Sequence, residues 1–208
     1  GSAGGTDTLD FSAVTAAQTI NLQTSTATLV NAFNGIETFV GDASNDILVG
    51  ADAVNTWNIT GTDEGNITGS VAFSSMENLT GGSGADSFVF TDAATISGEI
   101  DGAAGSDTLN WSAYATGRTV VLTGTGSTDG FAGTEASIGG GFDNIDGLTG
   151  SGAAGDSLTG LDAVASWDLS ATPTPTYTST NTLGFAGFET LIGGALADTL
   201  IGADAVNT

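Results

Sequence analysis

The chain of 208 residues has no cysteine, no histidine and no lysine, and its one basic residue is Arg118. Without cysteine there is no disulfide and no thiolate chemistry, and the redox compartment is left open. Without histidine, the hydroxyl–imidazole relay of serine hydrolases cannot be built. With one arginine there is no basic surface for nucleic acid or anionic lipid, so neither is an expected partner. Polysaccharide lyases need cationic or imidazole groups against developing negative charge, and these are missing too. The two prolines, Pro173 and Pro175, fall together in SATPTPTYTSTNT, which reads as a loop or edge insertion. No apolar run is long enough to cross a bilayer, so membrane insertion is not expected. This stretch carries no charged-then-apolar leader, and any export signal is expected outside it.

What the chain has in excess is acid and glycine. Against Arg118 stand 24 Asp and Glu, for a net charge of −23, and there are 33 glycines. Self-repulsion on this scale opposes a compact fold unless cations screen or bind it. The hydrophobic fraction of 39% is nevertheless enough for a substantial core. Abundant Gly, Ser, Thr, Ala, Asp and Asn, with little base, suit an extracellular or cell-surface protein.

Glycine and acid recur together. The stretch GGSGADSFVF (81–90) returns as GGALADTLIG (193–202), GDASNDILVG (41–50), GAAGSDTLNW (102–111), SAGGTDTLDF (2–11) and, one residue longer, GSGAAGDSLTG (150–160). Each copy sets an aspartate two places before an apolar residue: Asp7, Asp46, Asp86, Asp107, Asp156 and Asp198. A second phrase, FNGIETFV, FSSMENLT, FDNIDGLT or FAGFETLI, precedes four of them and carries Glu37, Glu77, Asp146 and Glu189. These four acids read as a repeated structural or solvated feature. A longer echo relates DTLDFSA at Asp7 to DTLNWSA at Asp107, and divides the chain into units 1–100 and 101–208, continuous with one another. A further copy of GADAVNT starts at Gly202, so the sequence reads as a window of a longer repeat array.

Short β-favouring stretches such as TINL, SFVF and RTVVL alternate with Gly, Asn, Asp and Ser clusters, and sustained helical periodicity is absent. An all-β fold follows, in one of two architectures. A parallel β-solenoid with coils of about 20 residues accounts for Asp phrases that recur at one-coil and two-coil spacings. Tandem β-sandwich domains of about 100 residues account for the longer echo alone.

GGSGADSFV (81–89) resembles the nonapeptide of the RTX, or hemolysin-type calcium-binding, repeats. That resemblance implies that the glycines form a turn, that the aspartate binds Ca²⁺, and that the apolar residue enters a parallel β-roll. Gly105 with Asp107, and Gly5 with Asp7, keep the family's glycine; Ser44, Ala154 and Leu196 depart from it. Nearly the whole chain is also similar to tracts of very long, repetitive bacterial surface proteins. Only Asp86 and Asp107 lie one coil apart, so a shared ion is expected there, with turn carbonyls of Gly82, Gly84, Gly102 and Gly105 as further ligands. The plainer reading is that each Asp accepts backbone N–H groups in an Asx-turn and needs no metal.

Trp57, Trp111 and Trp167 sit at repeated positions and read as core, with a glycan-stacking platform as the other possibility. NIT, NLT and NWS fit the glycosylation sequon and equally fit polar strand ladders. Every prominent carboxylate recurs by repetition, whereas an active site breaks a pattern, so no enzyme is expected. The expected function is a structural repeat module of a surface protein, filament or sheath, calcium-supported and stacking end to end on copies of itself. An adhesin that binds glycans is the alternative.

Overall fold

The computed structural model describes residues 4–69 and 71–202. They form strands and turns without a helix, in one sheet of twelve strands and one of ten. Successive coils stack in parallel across both sheets. Trp57, Phe88, Leu109, Leu148 and Phe185 are consecutive register partners in the first sheet. In the second, Ile20, Leu48, Leu79, Ile100 and Phe142 follow one another in the same way. All ten are buried, and the two rows face each other across one core. A strand of three residues with a single inward side chain, such as Thr108–Asn110, buries only its middle residue. Each such residue contributes about 1.5–3 kcal/mol of transfer free energy, so many coils are needed to sum to a stable domain. This is a β-solenoid, and the tandem-sandwich alternative falls, because successive coils stack in parallel register through both sheets around one core.

Coil length varies. Phe88 and Leu109 pair across 21 residues, the simple coil. Elsewhere a coil carries a three-stranded antiparallel excursion: Thr56–Ile59 with Glu64–Ile67 and Val71–Ser74, Thr119–Thr125 with Phe131–Glu135 and Ile138–Ile145, and Ala165–Asp168 with Thr176–Thr178 and Thr182–Ala186. Leu109 therefore pairs directly with Leu148, 39 residues on. The Asp spacings near 40 residues that read as two coils run instead between opposite corners, from a strand of one sheet to a strand of the other. The physical consequence is that phrases far apart in sequence become immediate neighbours at the corners where the chain passes between sheets.

Trp111, Tyr114 and Arg118, just ahead of the middle excursion, form a buried polar group with Glu135 and Ser137 within it. Arg118 is paired with Glu135 and stacks 4.2 Å from the Tyr114 ring centre. Glu135 also accepts from Ser137, whose hydroxyl accepts from Trp111 Nε1 at 2.9 Å. The one arginine is thus spent on a buried carboxylate, and is not available to the acids at the corners.

Candidate metal centre

Asp7, Asp46, Asp86, Asp107 and Asp156 each directly precede a strand and Asp198 is the first residue of one, and four of the six, Asp46, Asp86, Asp107 and Asp156, are buried. Their carboxylates reach across coils. Asp86 Oδ1 accepts the N–H of Asn55 at 2.7 Å, Asp107 Oδ1 accepts the N–H of Asp86 at 2.7 Å, and Asp146 Oδ2 accepts the N–H of Asp107 at 3.1 Å. At the opposite corner Asp46 accepts from Gln18 at 2.6 Å, Glu77 from Asp46 at 2.8 Å, and Glu189 from Asp156 at 2.8 Å. Glu37 accepts from Asp7 at 2.8 Å. The Asx-turn reading is therefore incomplete: the amides that answer these carboxylates belong mainly to the preceding coil. Glu37, Glu77, Asp146 and Glu189 continue the same ladders. This is their structural role.

A glycine five places before the aspartate makes room for it. A Cβ on Gly41, Gly81 or Gly102 would collide with the carboxylate of Asp46, Asp86 or Asp107. Gly82 and Gly84 press against Ala51 and Ala53 of the preceding turn, and Gly105, at φ +139°, presses on the Gly84 carbonyl. The Gly82 carbonyl accepts the Ala104 N–H at 3.2 Å. The glycines of the expected ligand set thus have an observed role in the close approach of stacked turns.

Two of the buried aspartates differ from the rest in their second oxygen. Asp46 Oδ2 accepts the Asp42 N–H at 2.7 Å, and Asp156 Oδ2 accepts from the Ser151 hydroxyl at 2.8 Å. Asp86 Oδ2 and Asp107 Oδ2 are buried without a hydrogen-bond partner, as is Asp129 Oδ1. Asp129 arrives from the turn between Thr119–Thr125 and Phe131–Glu135, and its other oxygen accepts the Gly105 N–H at 3.2 Å. One oxygen from each of Asp107, Asp129 and Asp146 lies within 4.8 Å of the others. That separation is about twice a calcium–oxygen bond, and a set of hard carboxylate oxygens suits Ca²⁺ rather than a softer metal.

The electrostatics agree with that geometry. Burial pushes the Asp107 carboxyl up to about 7; the Asp86 N–H works against the rise, and the charges of Asp86, Asp146 and Asp129 add to it. Burial likewise raises Asp146, opposed by the Asp107 N–H and helped by Asp129. Burial raises Asp86 as well, opposed by Asn55. A cation would remove the penalty that these neighbours impose on one another.

Of the expected ligand residues, the structure stacks Asp86 on Asp107, as neighbouring coils require. The carboxylates grouped with Asp107, however, are Asp129 and Asp146. Asp129 was not singled out by repetition, because it belongs to an excursion; its one local signal is the Asp-Gly pair of a hairpin turn. The three tryptophans are buried, so none offers a ring face to a sugar.

Residues 2–119 match the family described as Peptidase M10 serralysin C terminal. The chain belongs to this family. The serralysin C-terminal region is the RTX-type glycine-rich repeat, which binds Ca²⁺ and is distinct from the catalytic domain of those proteases. Repeats of this type belong to secreted proteins. No curated protein and no solved structure matches the chain.

Proposed function

We propose that this serralysin C-terminal-type chain is a calcium-stiffened structural module, a β-solenoid spacer in a secreted surface protein, filament or sheath. Asp107, Asp129 and Asp146 hold the ion, and Asp86, stacked on Asp107 with an unpartnered oxygen, lies beside them. Calcium supplies charge neutralisation; the residues supply oxygen ligands and a corner already fixed by the amide ladder. The observation that carries this reading is the fully buried Asp107, whose Oδ2 has no donor in a corner shared with two more carboxylates. The rest of the chain supports a mechanical role: carboxylates that recur do so as rungs of a ladder.

Thermal melting in chelator, followed by return of calcium, tests the reading. The midpoint is expected to rise by about 3 kcal/mol of stabilisation at 100-fold excess of calcium over its dissociation constant. Asp129→Asn is expected to lose most of that shift while melting in chelator at or above the unaltered chain. A midpoint indifferent to calcium, in protein shown to be folded, would overturn the assignment of the ion and leave the solenoid standing.

A further inference from the structure

The Pro-bearing segment SATPTPTYTSTNT (170–182) supplies the strand Thr176–Thr178 and the hairpin tip that leads into Thr182–Ala186. That tip lies on the hairpin that carries Asp129. Asn181 Nδ2 donates to the Gly130 carbonyl at 2.6 Å, joining residues 51 apart in sequence and hairpins that belong to different sheets. The same carbonyl accepts the Gly126 N–H at 3.1 Å, which closes the tip of the Asp129 hairpin. Behind this bond the buried rings of Phe131 and Tyr177 meet edge to face, 5.6 Å between centres. The middle and last excursions therefore touch through one polar bond and one aromatic pair, both next to Asp129.

Asp129 is bracketed by two asparagines. On one side Asn144 Oδ1 accepts the Thr128 N–H at 2.7 Å and the Asp129 N–H at 3.3 Å. On the other, Asn181 holds the carbonyl of the following residue. Gly130 sits at φ +51°, and a Cβ on it would meet the Ile145 backbone at 2.6 Å, one residue from Asp146. The tip needs such restraint, because it drives a carboxylate toward two others. One oxygen from each of Asp107, Asp129 and Asp146 lies within 4.8 Å of the others, Asp129 Oδ1 has no donor, and Asp129 Oδ2 takes the Gly105 N–H at a long 3.2 Å. Without a cation, like charge pushes the hairpin off the corner.

We propose that Asn181 is a positioning residue for Asp129, and that its bond to Gly130 links cation binding at the Asp107, Asp129 and Asp146 corner to the last excursion. The inference rests on the calcium reading above and deepens it. Apparent affinity scales with the fraction of molecules already in the binding-competent arrangement. Asn181 raises that fraction, because its donor keeps the tip in place, and Asp129 facing its two neighbours, before an ion arrives. When the donor is removed the tip moves away under repulsion, and binding must first draw it back. By reciprocity, calcium steadies the turn 179–181 in the opposite sheet.

Titration calorimetry with calcium alone, melts in calcium and in chelator, and amide hydrogen exchange, all on the whole chain, test the link. Asn181→Ala is expected to raise the calcium dissociation constant by about three- to tenfold. Asn181→Asp, of the same shape but with no donor and one more charge, should raise it at least as far. Tyr177→Phe is the control: it keeps the ring on Phe131 and loses only the hydroxyl that accepts the Leu161 N–H at 2.9 Å. It should lower both melts in parallel and leave the dissociation constant unchanged. Calcium should also slow exchange at residues 179–181 in the unaltered chain and fail to do so in Asn181→Ala. If Asn181→Ala instead behaves as Tyr177→Phe does, with parallel melts and an unchanged constant, the proposal is overturned. An unaltered chain that binds no calcium would sink the ion reading by itself. The pin is then read in chelator: faster exchange at Thr128 and Asp129 in Asn181→Ala keeps Asn181 as the residue that positions the hairpin, and unchanged exchange removes it.

Discussion

At the scale of single residues, Asp107 is held from three sides. It accepts one amide, donates its own amide to Asp146, and turns its other oxygen into a corner that holds Asp129. Its carboxyl binds a proton up to pH about 7 when folded, whereas an unfolded aspartate releases it near pH 3.9. Between those values the folded state holds more protons than the unfolded one, so stability in chelator falls as pH rises across this window. Melts from pH 4.5 to 8 in chelator should therefore show a declining midpoint, and Asp107→Asn should flatten the decline. A midpoint that rises over the same range would contradict the burial argument. Arg118 presents the complementary case. Arg118→Met leaves Glu135 buried beside Ser137 without its cation, which is expected to cost about 3–5 kcal/mol in denaturant melts. The double change with Glu135→Leu is expected to recover most of that loss.

At the scale of strands and turns, the nonapeptide works as a unit of close approach. The glycine five places ahead of the aspartate admits the carboxylate, and the aspartate then holds the amide that leads into the strand of the preceding coil. Gly102→Ala would force its Cβ into both the Asp107 carboxylate and the Asn144 carbonyl, so hydrogen exchange should speed up at Asp86 and Asp107 together. Gly124→Ala, with open space around its Cβ, is the control that should leave exchange unchanged.

Much of this was legible in the sequence. The recurring phrase placed Asp86 over Asp107, and it marked the inward residues, because equivalent positions in a stack must bury alike. The excursions were less legible. Antiparallel strands such as Phe131–Glu135 have the same composition as coil strands, and nothing local says that a strand turns back instead of advancing. Asp129 was hidden for that reason. It reaches the corner through a hairpin, and Asn144 anchors that hairpin by accepting the Thr128 N–H at 2.7 Å and donating to Asp101 at 2.7 Å. Asp146 was visible as a member of its phrase. That it stands beside Asp107 follows only once the 39-residue interval is known to be a single coil.

For the molecule as a whole, the net charge of −23 and the stacking of acids along two corners set the response to solvent. Monovalent salt shortens the screening length from about 10 Å at 0.1 M to about 3 Å at 1 M, which relieves repulsion between surface acids while affecting buried ones less. Sodium chloride should raise the melting midpoint gradually, and calcium at equal ionic strength should raise it further, with the difference lost in Asp129→Asn. Equal effects of the two salts at equal ionic strength would mean that screening alone is at work.

The corner ladders also have a direction. In each cross-coil bond named for them, from Asp7 to Glu37, Asn55 to Asp86 and Asp86 to Asp107 through to Asp156 and Glu189, the earlier residue gives the amide and the later one the carboxylate. A tier emerging first from a ribosome is therefore left with bare amides until 21 to 39 further residues have followed it. Maturation of the rod trails the emerging polypeptide by one tier. Each tier is latched by the one made after it.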